Sequence, residues 1–276
     1  MFDMKKPKWI KKKVNPLNKK FIKVYKILKK KKIKTLCLSS NCPNFYNCFI
    51  KKKITVLIMG KNCSRNCIFC NLGGKVPFRI NNNLEIYSII NILKTKLFKK
   101  ITITSVTRND IYDSGSFYFA NLITKLSKKN KNIEILITDF GFFLENFLIM
   151  ICRINFKNIC FNIETVRRLY NKVKPGFKYE NFFYFIKKIR KILKNILIKT
   201  GMMIGLGEKK NEILNIIFLL SFYINKIVIG QFLAHNTKNI LNFEYIKIKY
   251  FKLYSILAKK CKFFYIKIFP FARSSI

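Results

Sequence analysis

From residue 54 onward two rhythms of apolar residues alternate along the chain. Short runs rich in β-branched residues read as strands: "ITVLIM" (54–59), "ITITSV" (101–106), "IEILIT" (133–138), "NICFNI" (158–163), "IKTGMMIG" (198–205) and "KIVIGQFL" (226–233). Between and after them, apolar residues recur every three or four positions. This spacing predicts helices near 84–97, 116–130, 141–152, 179–195, 209–224 and 244–260. Six strand–helix units in succession predict a parallel sheet, because each helix returns the chain to the same end. An open doubly wound sheet and a partial barrel both satisfy that alternation. In either, ligands gather at the carboxyl ends of the strands. Polar, acidic and Gly residues collect at those ends: "SVTRNDIYDSG" after the second strand, Asn162 and Glu164 after the fourth, "GMMIGLGE" at the fifth and "GQFLAHN" at the sixth. Residues 1–35 lack the rhythm and predict an arm with one short helix.

Composition narrows the picture. Half of the 276 residues are apolar, enough for a real core. The formal charge of +44 comes from 56 basic against 12 acidic residues. It is carried mainly by Lys spread over the whole chain, whereas a nucleic-acid site concentrates Arg and aromatics on one element. The charge therefore reads as compositional bias, with general attraction to acidic partners. The most apolar stretch, "ILNIIFLLSFYI" (213–224), is too short to span a bilayer and reads as a buried helix. No segment reads as a secretory signal. Nine cysteines without such a signal argue for a reducing, cytoplasmic setting and metal ligation. Twelve acidic residues and a single His offer no triad or carboxylate pair for hydrolysis.

Six of those cysteines form two triplets. "CLSSNCPNFYNC" places Cys37, Cys42 and Cys48 at gaps of five and six, and "CSRNCIFC" places Cys63, Cys67 and Cys70 at gaps of four and three. The second triplet follows the first strand. Three thiolates on one loop can hold three irons of a four-iron cluster, leaving the fourth iron open to a small molecule. Zinc sites need four protein ligands each, and six clustered cysteines with no nearby His fall two short. Cys152, Cys160 and Cys261 read as small buried apolar residues.

The C-x3-C-x2-C spacing with Phe69 before its last Cys resembles the radical S-adenosylmethionine superfamily, and the paired triplets resemble one family within it, the lipoyl synthases. "KPKWIKKK", "CPNFYNCF", "ITSVTRND" with "DSGSFYFA", "NIETVRRLY" with "VKPG", "KTGMMIGLGE", "GQFL" and the terminal "PFARSSI" follow in that family's order. The resemblance implies a partial (βα)6 TIM-type barrel over 51–260, an N-terminal extension (1–50) carrying an auxiliary cluster motif, and a C-terminal segment (261–276) with the RSS motif. It implies two [4Fe-4S] clusters and S-adenosyl-L-methionine as cofactors. Cys63, Cys67 and Cys70 would hold the radical-generating cluster; Cys37, Cys42, Cys48 and Ser275 would hold the auxiliary one. The implied activity is a sulfurtransferase that inserts two sulfurs, drawn from the auxiliary cluster, at C6 and C8 of a protein-bound octanoyl-lysine. Implied partners are an octanoylated lipoyl carrier domain (a 2-oxoacid dehydrogenase E2 component or a glycine cleavage H protein) and a low-potential electron donor such as ferredoxin or flavodoxin, with no nucleic acid and no membrane. Implied contacts to S-adenosylmethionine are Phe69, Ser105, Arg108, Asp110, Asn162, Glu164, Arg168, Gly205 and Glu208. The chain departs from the family at Phe161, where the family has His, at Lys174, where it has Arg, at "AHN" (234–236), and at the terminal Ile276.

Overall fold

The computed structural model describes residues 7–10, 14–15, 17–72, 82–95, 97–128, 133–154, 156, 158–233 and 243–275. Seven parallel strands stand side by side in sequence order: β1 (Lys53–Ile58), β2 (Lys100–Ser105), β3 (Ile133–Leu136), β4 (Asn158–Cys160), β5 (Leu197–Ile204), β6 (Lys226–Gln231) and β7 (Tyr265–Ile268). Among the described residues no pairing joins β7 back to β1, so the sheet they form is an open barrel. The strand interiors are almost continuously buried, as expected of a parallel sheet covered on both faces. The six strands read from the sequence are all present. β7 is an addition: it lies within 261–276, and its four residues are at best half-buried, so its apolar signal is weak.

The arm packs as α1 (Lys19–Lys30), with Asn18 accepting hydrogen bonds from the Lys20 and Phe21 amides at its start. Two short helices follow, α2 (Leu36–Ser39) and α3 (Phe45–Ile50), and each carries a cysteine of the first triplet. Thr35 bridges antiparallel to Val56, which covers the free edge of β1. The outer layer consists of α4 (Asn82–Lys94), α5 (Ser116–Ser127), α6 (Leu144–Ile151), α7 (Tyr170–Val173), α8 (Tyr179–Ile192), α9 (Lys210–Ser221) and α10 (Ile248–Lys260). Cys160 is buried as expected, whereas Cys152 is exposed. It caps the end of α6, directly after the buried Ile151 but on the solvent side, and Cys261 at the end of α10 is half-buried.

The last residues enter the barrel. After β7 the Gln231 amide donates to Pro270 O, and the tail then crosses β6 at Gly230 and β5 at Gly201. A Cβ on Gly230 would collide with Ala272 O, and one on Gly201 would lie 2.7 Å from the Ser274 Cβ. Only glycine admits the tail at these two points. It ends against β1 and β2, where Thr55 and Thr102 donate through their hydroxyls to Ser275 O at 3.3 and 3.1 Å. Asn44, the Asn of "CPN", donates to Phe271 O at 2.7 Å.

Candidate active site

The second triplet sits on the loop after β1, and backbone hydrogen bonds fix that loop. The Cys63 amide donates to Leu72 O at 3.0 Å, the Cys70 amide to Cys67 O at 3.0 Å, and the Ile68 amide to Val173 O at 3.1 Å. Ser64 ties it to the β2 loop: its amide and hydroxyl donate to Thr107 O, and its hydroxyl accepts from the Asn109 amide at 3.0 Å. Burial pushes the Cys67 thiol up to about 11 and the Cys70 thiol up to about 12. Lys174 and Arg65 oppose the shift at Cys67, and a hydrogen bond from the Leu72 backbone opposes it at Cys70. Thiols of this kind become good ligands only when a metal displaces the proton.

In the first triplet, Cys37 is buried in α2 and Cys48 in α3, and the Cys42 amide donates to Cys37 O at 3.0 Å. Burial pushes Cys37 up to about 12, with the neighbouring Cys42 and Cys48 adding to the shift and hydrogen bonds from Thr55 opposing it. Thr55 therefore contacts both the Cys37 sulfur and the Ser275 carbonyl. The first triplet and the C-terminal tail meet at this residue of β1.

Five of the six triplet cysteines face one cavity of about 270 Å³ inside the barrel mouth. Its wall includes Cys37, Cys42, Cys63, Cys67, Cys70, Phe69, Ser105, Asn162, Glu164 and Ser275. Among the described residues no three His, Cys, Asp or Glu side chains close on a single metal ion. The thiols stand around a shared space instead, which suits a polynuclear cluster better than a lone zinc. Cys48 is buried behind Cys37 and does not form part of the wall.

The remaining sequence-derived positions lie off the wall. Arg108 pairs with Asp110 at 2.8 Å. Arg168 pairs with Glu212 at 2.7 Å and donates to Gly207 O; it does not pair with Glu164. Glu208 accepts from the Gly205 and Leu206 amides and the Thr165 hydroxyl, bracing the turn after β5. Gly205 has φ +101°, and a Cβ there would collide with Gln231 and Glu244 O. His235 and "AHN" lie outside the described residues, as does Ile276.

Arg65 and Asp139, which the sequence did not single out, complete the wall together with Lys174 and Glu164. Arg65, within the second triplet, pairs with Asp139 after β3; Asp139 is buried and the Arg65 side chain is only 9% exposed. Arg65 Nε and Nη1 have no hydrogen-bond partner. Buried orphan donors facing a cavity are what a ligand with acceptor oxygens requires. Lys174 Nζ stands 4.3 Å from the Phe177 ring centroid and 5.3 Å from that of Phe161. Burial lowers its pKa, and Glu164 raises it again. Glu164 itself adopts a left-handed backbone, φ +72°, at a cost of roughly 1–2 kcal/mol. Its carboxyl is pushed up by burial and pulled back by Lys174, Asn162 and Arg273. The signal for Arg65 was its place between two cysteines; Asp139 had none.

A Radical SAM superfamily profile matches residues 57–220. A lipoyl synthase of Wigglesworthia glossinidia brevipalpis is 35% identical over 277 residues, covering 99% of this chain and 87% of its own length. A lipoyl synthase of Caldicellulosiruptor saccharolyticus is 34% identical over 278 residues, covering 100% and 96%. Among solved structures, methylornithine synthase superposes with a TM-score of 0.57 at 13% identity, over 77% of this chain and 70% of its own. SuiB of Streptococcus suis bound to S-adenosylmethionine superposes with a TM-score of 0.60 at 9% identity, over 90% and 54%. The two structural neighbours share the fold, and the full-length relatives fix the family. The chain belongs to the lipoyl synthase family of the radical S-adenosylmethionine superfamily.

Proposed function

We propose that Cys63, Cys67 and Cys70 hold the radical-generating [4Fe-4S] cluster and that Cys37, Cys42, Cys48 and Ser275 hold the auxiliary one. The activity served is the family's: insertion of two sulfurs at C6 and C8 of an octanoyl chain carried on a protein lysine. When bound, the clusters supply the electron that cleaves S-adenosylmethionine and the sulfur that is inserted. The observation that carries the assignment is Thr55, which joins the Cys37 sulfur to the Ser275 backbone on the wall of the cavity that also holds the second triplet.

The protein residues position groups and exclude water. Apolar wall residues such as Val106, Ile137, Met202 and Phe232 suit an eight-carbon chain, whose burial at about 0.8 kcal/mol per CH2 is worth on the order of 5 kcal/mol. Phe69, Ser105, Asn162 and Glu164 contact S-adenosylmethionine, with the unpaired donors of Arg65 available to an acceptor oxygen of a bound ligand. Arg108, Asp110, Arg168, Gly205 and Glu208 act one layer back, by holding the strand-end turns. Residues 1–50 are the extension that carries the auxiliary-cluster cysteines, 51–260 the barrel, and 261–276 the C-terminal segment, which adds β7 to the sheet and carries the RSS motif. The acyl substrate arrives on a lipoyl carrier domain, of a 2-oxoacid dehydrogenase or the glycine cleavage system, and electrons come from a ferredoxin or flavodoxin. The reaction is assigned to the cytoplasm, a reducing compartment that keeps thiols available for cluster ligation.

Paired substitutions test the division of labour. Cys63→Ala should abolish 5′-deoxyadenosine formation from S-adenosylmethionine. Cys42→Ala should leave cleavage in place while no lipoyl product forms. Identical losses from both substitutions would contradict the assignment.

A further inference from the structure

One residue in five of this chain is Lys or Arg. None occurs in 132–152, the longest such gap in the sequence, and none in 109–124, a gap matched in length only by 35–50 around the first triplet. The two gaps are neighbours in space: 109–124 runs from the β2 loop into α5, and 132–152 spans β3, its loop and α6. Phe119 of α5 packs on Phe147 of α6 with ring centroids 5.5 Å apart. A gap over buried strands needs no explanation, but this face is open to solvent. Tyr112 is 90% exposed, Phe142 101%, Phe117 63% and Ile149 58%.

These side chains are held on fixed turns. Asp113 accepts from the Gly115 and Phe117 amides, Asp139 accepts from the Gly141 amide at 2.8 Å, and Tyr112 meets the Phe143 ring at 5.0 Å. The two loops leave the cavity wall at Thr107 and Asp139. A rigid exposed apolar patch at the rim of an active-site cavity, in a chain that places lysine nearly everywhere else, has the composition of an interface core.

We propose that this face, centred on Tyr112 and Phe142, is where the folded domain bearing the octanoyl-lysine docks. The inference rests on the function proposed above, because a substrate attached to a folded domain must press that domain against the rim its acyl arm crosses. Contact here is apolar. The general positive field of the chain steers the encounter, but the bound state depends little on salt.

The test compares two substrates, an octanoylated carrier domain and a short octanoyl-lysine peptide, on the wild-type holoenzyme and on Tyr112→Asp and Phe142→Asp. The substitutions should raise KM for the domain by about tenfold, as expected for loss of an interface anchor. Peptide turnover, iron content and deoxyadenosine formation should stay unchanged, and the domain KM of the wild type should vary little with salt. An unchanged domain KM, or equal damage with the peptide, overturns the docking surface alone. A wild-type dimer in sedimentation that Phe142→Asp dissociates also overturns it, by making the face a contact between copies. Wild-type protein that converts neither substrate removes the functional reading, and the surface falls with it.

Discussion

A hydroxyl among three thiols makes Ser275 the hardest ligand of its proposed set, and so the one whose iron is most readily uncovered. Its backbone is held by Thr55 and Thr102, which leaves its side chain on the cavity wall. Ser275→Ala should therefore lower iron by about one cluster per chain while deoxyadenosine formation persists; quantitative iron analysis beside the cleavage assay checks this. Ser275→Cys should keep the iron and still lower lipoyl output, because a fourth thiolate holds its iron more firmly. Phe161 and Lys174, two positions at which the chain departs from its family, touch each other: the Lys174 ammonium lies over the Phe161 ring at 5.3 Å. The departures therefore read as one paired change. Arg65 belongs to this scale as well. Arg65→Gln removes the unpaired donors and leaves Asp139 buried without its cation, so S-adenosylmethionine binding should weaken at least tenfold; equilibrium binding to the reconstituted protein measures it.

At the level of elements, most of the fold was legible. The six long apolar runs and the helices between them carried strong periodicity, and the structure places each within a few residues of its expected bounds. β7 was not legible, because "YIKI" is short, carries Lys267 in its middle and is only half-buried. α2 and α3 were hidden as well, since four and six residues are too few to set up a helical period. The cysteine triplets were readable by spacing alone, but the Arg65–Asp139 pair joins two loops 74 residues apart and leaves no local pattern. Gly201 and Gly230 were visible within the "GMMIGLGE" and "GQFL" motifs, whereas their task, letting the tail cross over β5 and β6, appears only in three dimensions. Gly230→Val should accordingly expel the tail from the barrel. Far-UV circular dichroism should remain close to wild type while auxiliary-cluster iron and lipoyl formation are lost; retention of both would mean the tail does not need that gap.

Across the whole molecule the excess of lysine has a cost at the barrel's lower end. Glu134 of β3 pairs with both Lys100 and Lys199, while Lys226 and Lys267 stand nearby. One shared carboxylate does not offset burial and three like charges, so the Lys199 ammonium is pushed down from 10.5 to about 6. A base whose folded pKa lies below its unfolded one binds fewer protons when folded, so stability is lowest below about pH 6 and rises as pH climbs from there toward 10.5. Lys199→Met keeps the Lys100 partner for Glu134 and should raise Tm at pH 6 by more than at pH 9; thermal melts at the two values check the sign. The same surplus of charge gives the upper rim its contrast, since two long lysine-free stretches adjoin there.

In the proposed reaction, sulfur held by this one chain ends in the acyl group. The direct measurement is mass spectrometry of an octanoylated carrier domain after anaerobic incubation with S-adenosylmethionine, reductant and protein whose clusters were rebuilt with isotopically heavy sulfide. The expected result is a lipoyl product carrying two heavy sulfurs, with no more than about one product per chain when no sulfur is resupplied. Octanoyl left intact beside two complete clusters, or a lipoyl group carrying only light sulfur, would contradict it.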